Sequence, residues 1–232
     1  SELEKDLKDA EEIIKELEEI NKRLLEEIRR IVERITKINR DLLETVKRLI
    51  EELIKEDSVD EKVVREIEEE LRRIKEESKK VEKDIRELLR RITKKSEEVA
   101  KRLRELLEEL RRANKPKDDL LREILEVLET ALRMLEESLK ELRRVLEELL
   151  KASKRTLEKV KEVLKRLLEK ARKGVDEERL KEIEERIRRT EEDVKRKHDD
   201  VRRELDEEDD RYKRELDKVR KKLKEKADRI RD

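Results

Sequence analysis

His198 is the only histidine in this chain, which has no cysteine. Nine polar side chains fall at the phase of the apolar residues around them: Asn21, Asn39, Ser78, Ser96, Ser138, Ser153, Thr156, His198 and Tyr212. Thr190 is a tenth candidate. Their chemical repertoire is narrow. An imidazole can bind a metal, move a proton or activate a hydroxyl, and amides and hydroxyls can only hydrogen-bond. A carboxylate-bridged metal pair needs inward glutamates from four helices and Glu-x-x-His on two of them. Lys195 stands where His198 would need that glutamate, and one histidine cannot serve two helices. A nucleophile needs a base and an orienter, and every such set would have to pass through His198. The chain has a single glycine, so no glycine-rich loop can cradle phosphate. The composition therefore points to no catalytic, metal or cofactor site. The polar set reads as hydrogen-bonding residues.

The elements that carry these residues are long helices. Charged residues make up 59% of the chain, with 69 basic and 69 acidic side chains and no net charge. Charge this dense suits a disordered chain, unless the apolar third is strictly periodic. Here it is periodic, and it is nearly all Leu, Ile and Val. Basic and acidic residues are interleaved, and one tyrosine is the only aromatic. Neither a basic face nor a stacking platform for nucleic acid results. No apolar run is long enough for a membrane span, and the opening "SELEKDLKDA" has no signal-peptide core. Localisation is left open.

Helix breakers fall in three places. "EDSVDEKVV" offers a capping box from Ser58 to Glu61. "RANKPKDDLL" holds Asn114 and Pro116, and "RKGVDEERL" holds Gly174 followed by Asp176. These predict helices at 2–56, 59–113, 117–172 and 177–231, each roughly 80 Å long at the usual helical rise. Links of a few residues make sequential helices antiparallel. The expected fold is all-α: one domain, 1–232, forming a single-chain up-down-up-down four-helix bundle. Helix 3 carries 24 apolar residues and helix 4 only 12. The richer helices 1 and 3 should therefore lie across the short diagonal.

One register runs through the chain. "INKRLLEEIRRIV" from Ile20 returns as "INRDLLETVKRLI" from Ile38, 18 residues later. Ile74, Ser78, Val81 and Ile85 return as Ile92, Ser96, Val99 and Leu103, again 18 residues on. Eighteen residues make about five turns, so the helices need almost no supercoil. With the Glu/Lys/Arg surface, the terse loops and the near absence of aromatics, this register resembles that of de novo designed, parametrically built helical bundles over the whole chain. The resemblance implies an idealised, thermostable backbone, buried hydrogen-bond layers, and no natural catalytic or ligand-binding activity.

Two readings of the polar set remain. They are boundary residues touching water, or buried layers that fix register at some cost in stability. A first turn near residue 58 sets Asn39 opposite Ser78 and Asn21 opposite Ser96. Extended to helices 3 and 4, one layer gathers Asn39, Ser78, Ser153 or Thr156, and His198. The other gathers Asn21, Ser96, Ser138 and Tyr212. The expected function is a structural scaffold with register-setting polar layers. It requires no cofactor and no partner, and is a monomer. The alternative is a protein-interaction module: a bundle that self-associates, for example as a homodimer along Leu132, Leu150 and Leu168, or a switch with a displaceable fourth helix.

Overall fold

The computed structural model describes residues 2–56, 59–171 and 175–231. They form four helices: α1 (Glu2–Lys55), α2 (Glu61–Arg112), α3 (Lys117–Ala171) and α4 (Glu177–Arg231). The fold is the expected all-α, antiparallel four-helix bundle with long helices. Helix α2 begins two residues later than expected. The Asp60 carbonyl accepts its first helical bond from the Val64 amide, at 3.1 Å. Asp60 is itself a favoured residue type at that position. The Ser58 hydroxyl cap and Gly174 lie outside the described residues. Pro116 and Asp176 open α3 and α4, their carbonyls accepting from Leu120 and Leu180 at 3.1 and 2.9 Å. At the end of α2 the Ala113 amide bonds the Leu110 carbonyl, a tighter last turn that satisfies one orphan acceptor.

Each helix contributes to two compact units. Unit 1 comprises Ser1–Arg29, Glu87–Arg144 and Leu205–Asp232, and unit 2 comprises Arg30–Arg86 and Val145–Glu204. Inside each unit, cross-helix ion pairs record the antiparallel order. In unit 1, Glu11 meets Arg111 and Glu18 meets Arg104 between α1 and α2. Glu16 meets Lys222 and Arg23 meets Glu215 between α1 and α4. In unit 2, Glu77 meets Lys159 and Glu70 meets Arg166 between α2 and α3. Glu147 meets Arg202 and Lys161 meets Glu191 between α3 and α4. In every pairing, a higher number on one helix meets a lower number on the other.

The 18-residue register is visible in burial. On α1, Ile14, Val32 and Ile50 are buried at successive repeats, as are Leu17, Ile35 and Leu53. On α3, Leu128, Leu146 and Leu164 follow the same spacing, and on α4 Ile183, Val201 and Val219 do. Full burial of such a side chain stabilises by about 1.5–3 kcal/mol, while truncating one to alanine costs about 2–5 kcal/mol. Burial is uneven among the helices. On α2, the buried apolar residues are Ile67, Ile74, Leu89, Ile92, Leu103 and Leu107, whereas α1 and α3 each bury a broad stripe. The stripe on α3 takes in Leu132 and Leu150, two of the three leucines of the conceivable dimer ladder. The chain's own core covers them.

Candidate functional site

Four helices meet through polar side chains at one point of unit 2. The α1 stripe runs Ile35, Ile38, Leu42, and Asn39 sits within it, 4% exposed. Its Nδ2 donates to Ser78 Oγ of α2 at 3.4 Å. Its Oδ1 accepts from Ser153 Oγ of α3 at 2.6 Å. Ser153 Oγ in turn lies 2.8 Å from His198 Nε2 of α4. Ser153 and His198 are 1% and 2% exposed, and Ser78 is buried as well. A hydroxyl has one proton, and Ser153 spends it on Asn39. His198 therefore carries its proton on Nε2 and donates to Ser153. The chain of donors runs His198, Ser153, Asn39, Ser78, visiting each helix once.

Burial disfavours a charged imidazole, and the nearby Lys154 ammonium adds to the effect; Asp199 opposes it weakly. Together they push the His198 pKa down to about 4 from the usual 6.5. The neutral ring is thus the working form near neutral pH. Ser153 beside His198 has the look of a nucleophile and its base, yet the proton runs the wrong way. The serine proton points at Asn39, and the imidazole nitrogen facing the serine is a donor. Both residues are closed off from solvent. The arrangement holds helices together and leaves no place for a reacting group.

Thr156 is placed near this level by its sequence position but stays outside the chain of bonds. Its hydroxyl bonds back to the Ala152 carbonyl at 3.0 Å, and Thr190 does the same to Arg186 at 2.8 Å. A helical threonine satisfies itself this way when no cross-helix partner is in reach.

Asn21, Ser96, Ser138 and Tyr212 belong to unit 1. The structure does not join them by hydrogen bonds. Asn21, Ser96 and Ser138 are half-buried, on the rim of the core rather than inside it. They line a common cleft between α1, α2 and α3. Serine hydroxyls on α2 and α3 are too short to close that cleft. Tyr212 is buried, and its hydroxyl has no partner. Burial pushes the phenol's pKa up, and the Arg211 guanidinium lies 5.5 Å from the ring centre.

Sequence reasoning passed over a second buried polar group. Asp209, in the acidic run Asp206–Asp210, is only 5% exposed. Its Oδ2 pairs with Arg143 Nη1 of α3 at 2.6 Å and with Lys213 at 2.9 Å. Arg143 also reaches Asp206 at 2.6 Å. The acidic run reads as a solvated face, and four of its five residues are not buried. An aspartate on the helical phase of Leu205 and Tyr212 was the signal that it turns inward. Thr36 was missed too. It is buried on α1 with an unpartnered hydroxyl.

Among the described residues, no group of three or more His, Cys, Asp or Glu side chains is placed to hold a metal ion. None of the described helices is long and apolar enough to cross a membrane. The chain matches no protein-family model, no curated protein and no solved structure.

Proposed function

We propose that this chain is a structural scaffold: a designed antiparallel bundle whose buried polar chain sets the register of its helices. The observation that carries the reading is the run of hydrogen bonds from His198 through Ser153 and Asn39 to Ser78. Leucine layers tolerate a slip of one turn because every neighbour is another leucine. A polar layer does not, since each displaced amide or hydroxyl then faces hydrocarbon at a cost of about 1–3 kcal/mol. Design is supported by one 18-residue register held through all four helices.

The test is a variant with an apolar layer: Asn39→Leu, Ser153→Ala and His198→Leu together. The expected result is unchanged helicity by circular dichroism, with doubled amide resonances or a mixture of oligomers by light scattering. A single species with one set of resonances would show that the polar chain is dispensable for specificity.

A second reading is favoured by α4. Its sequence carries 12 apolar residues, the fewest of the four helices, and ion pairs such as Arg186–Glu52 and Lys161–Glu191 hold its flanks. Such a helix suits exchange with a partner helix. Hydrogen exchange would then be fastest in α4 and would quicken further in high salt, which screens exposed pairs. Uniform protection across the four helices speaks against it.

A further inference from the structure

We propose that the cleft between the α1, α2 and α3 segments of unit 1 is a binding site for a small uncharged amphiphile. The ligand class is an apolar body of one ring carrying a hydrogen-bond donor, of which phenol is the simplest case.

The cleft has a volume of about 160 Å³. Its origin lies in the side chains that face one another. Ala131 of α3 stands where the same register position later holds Leu149 and Leu167, and the facing Ala100, Ser96 and Ser138 are as small or hardly larger. Leu17 and Leu135 form an apolar floor, and Met134 covers the mouth while remaining 40% exposed. A cavity of about 150 Å³ lined by aliphatic side chains is large enough to admit benzene. Methionine is the side chain best able to move aside for a guest.

The polar groups decide which guest. Asn21, Ser96 and Ser138 come from three different helices, line the cleft and make no side-chain hydrogen bond among the described residues. Glu18 supplies an independent observation. One of its carboxylate oxygens is held by Arg104 at 3.2 Å, and the other, Oε1, is buried without a partner. An unpartnered carboxylate oxygen calls for a donor, which a phenol or alcohol supplies and a carboxylate anion does not. Glu137 and Glu141 also line the cleft, against Lys95 as its one cation, so an anionic guest meets repulsion.

Isothermal titration of the full chain with phenol tests the assignment, with anisole and benzoate as comparisons. Anisole keeps the ring and lacks the donor. Phenol is expected to bind saturably at one site, anisole roughly fivefold or more weakly for want of one hydrogen bond, and benzoate not at all. Ala100→Leu fills the cleft and should abolish binding with helicity retained. Should that variant misfold, Ser138→Leu fills the same space from α3 and should do likewise. Absence of saturable phenol binding overturns the proposal. So does equal affinity for anisole, or undiminished binding in whichever filled variant folds.

Discussion

Ser153 and Asn39 join α3 to α1 by a hydrogen bond of 2.6 Å, both side chains almost wholly buried. These are the two helices with the broadest apolar stripes, and the bond crosses between them inside unit 2. A direct bond between non-consecutive helices requires that they approach closely, as a short diagonal does. The same contact fixes which nitrogen of His198 faces Ser153 as a donor, while burial and the Lys154 ammonium keep the ring neutral. Ser153 has already given its proton away, so the imidazole must supply one.

Asn39→Leu therefore removes an acceptor from Ser153 and a donor from Ser78. We expect a loss of about 1–3 kcal/mol, the cost of stranding buried polar groups. Asn21→Leu is its natural comparison. Asn21 occupies the same register position but is half-buried, and its side chain has no hydrogen-bond partner among the described residues. Leucine there should be neutral or slightly stabilising. Guanidinium denaturation of the two single variants checks the contrast, and equal losses would refute the difference assigned to the two asparagines.

Tyr212→Phe should stabilise the fold. The phenol hydroxyl is buried without a partner, which costs about 1–3 kcal/mol when nothing repays the lost water. The ring alone keeps the packing. The raised phenol pKa gives a second readout. In the unfolded chain the phenol ionises near 10, below its folded value. Tyr212 therefore makes the folded state lose stability as pH climbs above that point. Phenolate absorbance should appear only at a pH well above the ordinary range. Ionisation near 10 in the folded protein would contradict the burial argument.

Much of this was legible in the sequence, and the failures share one cause. Periodicity located all four helices and their order, because apolar phase is a property of each helix alone. It also set Asn39 opposite Ser78, since hairpin geometry fixes register once the turn is known. Phase alone could not separate Asn39 from Asn21, which share a local sequence. What differs is depth, and depth depends on neighbours. Around Asn39, a histidine and a serine reach inward from α4 and α3. Around Asn21, alanines and serines on α2 and α3 leave a cleft. Asp209 was hidden by the opposite effect. Three of its four acidic neighbours are exposed, and composition averaged it in with them.

Arg143→Met should destabilise by about 2 kcal/mol. Loss of one partner from a fully buried pair costs about 3–5 kcal/mol, and here Lys213 remains beside Asp209 and Arg143 is itself 27% exposed. Arg188→Ala removes two exposed pairs, to Glu185 and Glu192, and should leave stability almost unchanged. Thermal melts at matched salt compare the two. An equal effect would mean that burial of Asp209 does not govern the strength of its pairing.

His198 makes stability depend on pH below neutrality. Its folded pKa is pushed down to about 4, against 6.5 for the free side chain. Below 6.5 the unfolded chain binds a proton that the folded chain refuses. Stability is therefore full above 6.5, falls as pH drops through the window, and levels off once pH passes the folded value. The gap corresponds to about 3 kcal/mol at full protonation. The hydrogen-bonded carboxylates behave differently. Glu52 and Glu191, held low by Arg186 and by Lys161 with Lys195, keep their contribution until pH falls below the ordinary carboxylate range. Glu82, whose carboxyl burial pushes up, makes the fold gain stability as pH falls, so a decline between 6.5 and 4.5 reports the histidine. His198→Gln keeps a side-chain donor for Ser153 and cannot titrate. Its denaturation free energy should not decline across that interval while the parent's falls. If the parent and the glutamine variant decline in parallel, the pH dependence belongs to other groups, and the buried imidazole is not the strained member of the chain from His198 to Ser78.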